Sequence, residues 1–289
     1  MKKFSLLALL LVVLFSLGGC KKNENTIRVC ASDVPHKQIL EGYVAKALSE
    51  KGYTLKVVEL DWTMQNDAVA NGDYDANYFQ HLPYLEAYTG KTKLVFTCTV
   101  HYEPLGIYQG SGAVTDLALG KTFSICDDES NAIRAFNLLA NKGVISQEEV
   151  PVKTDNNDKL EFNNSGWNSS HDKWTNGNVT VSLVQENLLV QTKQDYDFTL
   201  LPCNTAYTGK VSSELRVAAE DDTNEVVSKA NGLAVRKDDY LNNESYKKKI
   251  DALTDVLLSD GLANYFAETY LGVMTCNDIT QRDLRALIK

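Results

Sequence analysis

Short apolar runs alternate with helical patterns from residue 26 to the C-terminal end, and this alternation predicts α/β layers with mostly parallel sheets. Residues 26–31 read as a strand. Residues 36–51 read as a helix, because Ile39, Leu40, Tyr43, Val44, Ala47 and Leu48 recur at spacings of three and four and define one buried face. Gly52 ends that helix, as a residue tolerant of positive φ should. A strand over 54–60, a short helix over 64–71 stopped by Gly72 and a strand edge over 76–79 follow. Pro83 sits in the first turn of a helix through 88, where its missing N–H costs nothing, and 93–100 is a fourth strand. Beyond Gly110-Ser111-Gly112-Ala113 the pattern restarts with a strand at 122–126, helices at 128–140 and 181–191, and a strand at 198–201. Residues 163–178, rich in Asn, Ser and Trp, lack periodicity and read as a surface loop. A buried strand at 232–235 and helices at 244–258 and 261–270 close the chain. The expected body therefore has two lobes, residues 26–109 with 225–289 and residues 110–224, joined by a hinge of two crossings. In open α/β lobes ligands bind beyond the carboxyl ends of strands, so the cleft collects strand-end loops from both sides.

Ahead of this body, Lys2 and Lys3 precede an apolar run over 4–17 and the tetrad Leu17-Gly18-Gly19-Cys20. The run is too short for a stable membrane span, and the small residues before Cys20 suit a peptidase that needs little side-chain bulk. Residues 1–19 are thus expected to be a signal peptide, Cys20 the lipidated residue, and 20–25 a polar tether. Each buried lipid methylene contributes roughly 0.8 kcal/mol, so two or three chains anchor firmly. The expected location is the cell membrane, lipid-anchored on the extracytoplasmic side. Without residues 1–19 the chain carries 27 Lys and Arg against 38 Asp and Glu, a net charge of −11 that argues against nucleic acid. Its 270 residues suit two lobes, and the 44% hydrophobic content of the full chain with only five prolines indicates a well-packed body. Cys30, Cys98, Cys126, Cys203 and Cys276 are odd in number, so at least one thiol is free. No Cys-x-x-Cys spacing points to structural zinc. Most of these cysteines read as small apolar core residues, with a disulfide as the alternative.

Three strand-end clusters carry candidate chemistry. In Asn77-Tyr78-Phe79-Gln80-His81-Leu82-Pro83-Tyr84, three rings and a histidine fall within one strand-to-helix turn, and His81 and Tyr84 share a helix face. Such rings can wrap an apolar or thioether side chain, at about 0.3–1.5 kcal/mol per sulfur–ring contact, or simply fill the core. In Val100-His101-Tyr102-Glu103-Pro104, His101 stands at the lip of the expected cleft, as a ligand contact or a structural histidine. The third cluster leads from the strand at 122–126 into Asp128-Glu129-Ser130-Asn131-Ala132-Ile133-Arg134. An arginine in the first turns of a helix opposes the helix dipole, but it can make a bidentate pair with a carboxylate held there. Its plain alternative is an internal pair with Asp128 or Glu129.

These same stretches resemble the methionine-binding lipoproteins of the NlpA family that serve ABC importers. The resemblance runs from about Ile27 to near the C-terminus and rests on Val34-Pro35-His36-Lys37-Gln38-Ile39-Leu40, residues 75–85 and residues 100–108. Ser130-Asn131 with Arg134-Ala135, and Ala230-Asn231 before Leu233-Ala234-Val235-Arg236, also fit. The resemblance implies a type II periplasmic-binding-protein fold holding methionine, as the L or D form or in a dipeptide, with permease and ATPase subunits as partners and no cofactor. It implies that Arg134 holds the α-carboxylate, that Asn131, Asn204 and Asn231 bond the carboxylate or ammonium, and that Tyr78, Phe79, His81, Tyr84 and His101 line the side-chain pocket. The chain departs from the family where Pro202-Cys203-Asn204 replaces an Asn-Gly-Asn and Cys126-Asp127 replaces a proline and asparagine.

Two rival readings use the same residues. A zinc-binding solute receptor would gather His36, His81 and His101 with Glu103 or Asp33, but it leaves Arg134 repelling the cation. A hydrolase would pair Cys98 with His101, yet residues three apart on a regular strand face opposite ways.

Overall fold

A computed structural model describes residues 25–151, 166–220, 228–270 and 273–289; residues 1–19, expected to be a signal peptide, and Cys20 lie outside the described residues. Its strands are β1 (Thr26–Ala31), β2 (Thr54–Glu59), β3 (Ala76–His81), β4 (Leu94–His101), β5 (Leu105–Gln109), β6 (Thr122–Cys126), β7 (Lys173–Asn176), β8 (Val179–Val184), β9 (Phe198–Pro202), β10 (Arg216–Ala219), β11 (Asn231–Arg236) and β12 (Arg282–Asp283). They form two six-stranded sheets, in the orders β12-β4-β11-β3-β1-β2 and β10-β5-β9-β6-β8-β7. Within each sheet, three strands joined through helices run parallel: β2-β1-β3 in the first and β9-β6-β8 in the second. The strand that arrives after each crossing, β5 or β11, pairs antiparallel with both neighbours, so the sheets are mixed.

The first crossing is short. β4 ends at His101 and β5 begins at Leu105 in the other sheet, so only Tyr102, Glu103 and Pro104 lie between. The expected first lobe ran through residue 109, but residues 105–109 satisfy their backbone groups on β9 and β10. The second crossing lies between β10 and β11.

One core packs Ile39, Leu40, Val44 and Leu48 from the expected first helix face against β1, β3 and the helix Glu244–Leu257. That first helix follows a kink with extended backbone at Val34 (φ −113°, ψ 131°) and takes a π-helical turn at Leu40–Val44 before Ala45–Glu50, and Gly52 closes it at φ +84°. The other core packs Ala132, Ala135, Phe136, Leu138 and Leu139 of the helix Glu129–Asn141 on the second sheet.

Two expectations fail here. Residues 181–191 are not one helix: Val179–Val184 is a strand parallel to β6, and the helix is confined to Glu186–Thr192. A short apolar run with β-branched residues fits a buried strand as readily as a helix face. The described part of 163–178 is not simply a loop, because β7 pairs antiparallel with β8 and Trp174, 1% exposed, packs edge-on against Phe136 at 5.6 Å. Residues 163–165 lie outside the described residues. All five described cysteines are free, and four are buried.

Candidate functional site: the interlobe cavity

A cavity of about 630 Å³ lies between the lobes, within the size range of small-molecule sites. Ser32, His36, Trp62, Phe79, His81, Tyr84 and Asn231 line it from the first sheet and its loops, and Asn131, Arg134, Glu186, Asn204 and Thr205 from the second. These positions lie at or just after the carboxyl ends of β1, β2, β3, β6, β8 and β9, or open β11. Parallel strands aim such ends at one crevice.

His81 caps the helix Leu82–Glu86, its Nδ1 accepting from the Tyr84 N–H at 3.2 Å. Its Nε2 therefore carries the proton and donates across the cleft to Asn131 Oδ1 at 3.2 Å. Burial and the Arg134 charge lower His81 to about 4, which keeps it neutral. Asn131 is fixed in turn, because its Nδ2 donates to Asp128 Oδ2 at 2.7 Å. Asp128 is the N-cap of Glu129–Asn141 and accepts from the Ser130 and Asn131 N–H groups at 3.1 Å. Tyr84 meets Phe79 edge-on at 5.6 Å and Trp62 at 5.4 Å, so three rings form one wall.

Arg134 is 5% exposed and lines the cavity, but its guanidinium is not free. Its Nε donates to Glu220 Oε1 at 2.7 Å, and its Nη2 donates to Glu220 Oε2 at 2.5 Å and to the Glu103 carbonyl at 2.6 Å. Nη1 makes none of these contacts. Burial opposes charge on both partners, yet their mutual bonding prevails, holding Glu220 down at about 2 and raising Arg134. Glu220 also accepts from Tyr102 Oη, from the Leu105 N–H and from Lys229 Nζ. The internal pair thus runs to Glu220, while Asp128 serves as a cap.

Tyr78 and His101 do not line the cavity; both are fully buried. Tyr78 lies in the core of the first lobe with its hydroxyl 2.5 Å from His101 Nδ1, and His101 packs on Phe266 at 5.1 Å. His101 Nε2 lies 2.9 Å from Glu103 Oε1, and His36 Nε2 3.7 Å from the same oxygen. Burial lowers His36 to about 4 and His101 to about 3, and raises Glu103 to about 7. Of the zinc set, His36, His101 and Glu103 converge, with ligand atoms within 4.8 Å of one another, whereas His81 is held by Asn131. Neither ring nitrogen of His36 has a hydrogen-bond partner among the described residues. Burial pushes the Cys98 thiol up to about 12, so it is protonated at neutral pH.

Five of the remaining expected site residues, Phe79, His81, Tyr84, Asn131 and Arg134, line the cavity together, and Asn204 and Asn231 join them. Trp62 and Glu186 are not among the expected site residues, and His36 and Glu103 are expected there only as metal ligands. Trp62 and Glu186 open helices just after strands, which was the available signal; Glu220 had none.

Two α/β lobes, each completed by the strand that follows a crossing and closing on a polar and aromatic cavity, define a type II periplasmic-binding-protein fold. The family model of the NlpA lipoproteins matches residues 27–274, and the chain belongs to that family. The methionine-binding lipoprotein MetQ of Bacillus subtilis is 32% identical, over 95% of this chain and 98% of its own. The structure of a nutrient binding protein from Burkholderia cenocepacia bound to methionine superposes with a TM-score of 0.67 at 25% identity, covering 87% of this chain and 99% of that one. Lipoprotein Tp32 from Treponema pallidum shares the fold, with a TM-score of 0.70 at 23% identity over 87% and 99% of the two chains.

Proposed function

We propose that this chain is the substrate-binding lipoprotein of an ABC importer, a receptor rather than an enzyme, capturing methionine and delivering it to permease and ATPase subunits. The observation that carries the reading is the wall of Trp62, Phe79 and Tyr84 in the same cavity as the buried guanidinium of Arg134. A thioether side chain lies against the rings, and the zwitterionic head meets polar groups, without which its burial would cost several kcal/mol. In this assignment Arg134 offers Nη1 to the carboxylate, and Asn131, Asn204 and Asn231 bond the head. Phe79, His81 and Tyr84 enclose the side chain, with Tyr78 and His101 supporting from behind. The names of the relatives support the ligand and the lipid anchor, here placed on Cys20, which would hold the receptor at the extracytoplasmic face of the membrane.

Native mass spectrometry of the protein as purified from cells tests the reading, followed by calorimetry with L-methionine, D-methionine and methionyl dipeptides. Retained methionine, or saturable binding of one of these, is the expected result. No binding of any of them would refute it. The convergence of His36, His101 and Glu103 favours a second reading, capture of a divalent metal. That reading requires metal in the purified protein which a chelator removes.

A further inference from the structure

The cavity wall carries more acid than base. Asp33, Asp61, Glu103 and Glu186 line it, and the cationic group among the lining residues is Arg134, whose guanidinium is engaged by Glu220, a carboxylate that Lys229 also bonds. Asp33 and Asp61 are exposed and solvated, and Glu103 bonds to His101. Glu186 differs from all three. Among the described residues no lysine or arginine pairs with it, and its bonded neighbour is the Thr205 hydroxyl, which donates to Glu186 Oε1 at 2.7 Å. Beside Thr205, Asn204 Oδ1 is buried without a hydrogen-bond partner among the described residues.

Every one of these groups has acceptor capacity to spare. A carboxylate accepts at both oxygens, the Thr205 oxygen keeps its lone pairs after donating, and Asn204 Oδ1 can only accept. A bound carboxylate there would be repelled, and a lone hydroxyl would supply one donor. A primary ammonium supplies three donors and the missing positive charge. The geometry points to Glu186, with Thr205 and Asn204, as the selector of an unblocked ammonium, so the cavity takes free amino acids or peptides with a free N-terminus and refuses their N-acylated forms. This inference rests on the reading of the cavity as an amino-acid site and specifies the end of the ligand that Glu186 meets. The ionisation of Glu186 is consistent with that role: burial, reinforced by Asp128, Glu103 and Asp127, raises it to about 7, and an arriving cation stabilises the ionised form.

The test compares binding of amine and N-acyl pairs by calorimetry: L-methionine with N-acetyl-L-methionine, L-leucine with N-acetyl-L-leucine, and glycyl-methionine with its N-acetyl form. The proteins are the mature chain, Glu186→Gln and Glu186→Asp, each checked for an unchanged melting curve. The expected result is that the unmodified protein prefers the amine by at least about tenfold, that Glu186→Gln abolishes most of that preference by weakening the amine alone, and that Glu186→Asp retains part of it. An unchanged preference in Glu186→Gln, or equal loss for both members of a pair, overturns the inference. If methionine fails to bind but another amine binds with this Glu186 dependence, the methionine reading falls and the ammonium selector stands. If the unmodified protein binds no amine in the panel, or prefers the acylated member, the selector falls as well.

Discussion

Glu220 sits where the second crossing begins, yet its carboxylate binds the first crossing through Tyr102 Oη at 2.5 Å and the Leu105 N–H at 2.9 Å, and the second lobe through Arg134. Removing one partner of a buried, hydrogen-bonded ion pair leaves the other charge uncompensated, at a cost of roughly 3–5 kcal/mol. Glu220→Ala should therefore lower the unfolding free energy by about that amount, measured by denaturant titration; a change under about 1 kcal/mol would mean that the pair contributes little. Arg134→Ala should do the same and, on the proposed assignment, weaken methionine binding by at least about 2 kcal/mol by calorimetry. Unchanged affinity in a folded Arg134→Ala protein would place the carboxylate elsewhere. That Arg134 faces a carboxylate was legible, because a guanidinium in the first turns of a helix is poorly placed for the helix itself. Which carboxylate was not, since Glu220 is 86 residues away and meets Arg134 only because both crossings pass the same point. Tyr78 and Phe79 show the related difficulty, since neighbours on a strand face opposite ways and composition does not say which face meets the cavity.

The helix Glu129–Asn141 converts its N-cap into part of the cleft. Asp128 accepts from two of the backbone N–H groups that the helix start leaves unpaired, and its other oxygen holds Asn131 Nδ2, which aims Asn131 Oδ1 at His81 in the opposite lobe. Loss of such a cap typically costs about 1 kcal/mol, and up to about 2. Asp128→Ala should lose that stability and also weaken ligand binding, whereas Asp128→Asn, which can still cap, should recover most of the stability. If Asp128→Ala melts and binds like the unmodified protein, the cap has no part in aiming Asn131. At this scale the sequence was most legible where a 3.6-residue period persisted, as in residues 36–51, 128–140 and the closing helices. It was least legible at Val179–Val184 and Lys173–Asn176, where runs of four to six residues are too short to separate strand, helix and loop by period. Pairing with β6 then decides the first, and burial of Trp174 the second.

Across the whole molecule, the cleft and the core behind it concentrate groups whose protonation is set by burial, and their signs oppose one another. His36, His81 and His101 fall from 6.5 to about 4, 4 and 3, so each contributes stability that is complete above pH 6.5 and lost as pH falls toward those values. Glu103 and Glu186 rise from 4.5 to about 7, so each contributes stability that is complete below pH 4.5 and lost as pH rises through 7. Between pH 4.5 and 6.5 the unfolded chain takes up three protons on these histidines while the folded protein holds two on these carboxyls, a net difference of one. Below pH 4.5 folded and unfolded chains both hold the carboxyl protons, so these groups no longer offset the histidines, and Glu220, held down at about 2, adds to the histidine loss. The ligand-free protein should therefore be most stable near pH 6.5, losing on the order of 1.4 kcal/mol per pH unit down to about 4.5 and several times that below, since each proton contributes about 1.4 kcal/mol per unit. Denaturant unfolding at half-unit steps from pH 8 to 4 measures this directly. A steep loss already between pH 6.5 and 5 would mean that Glu103 and Glu186 are ionised there, so that the histidines act unopposed.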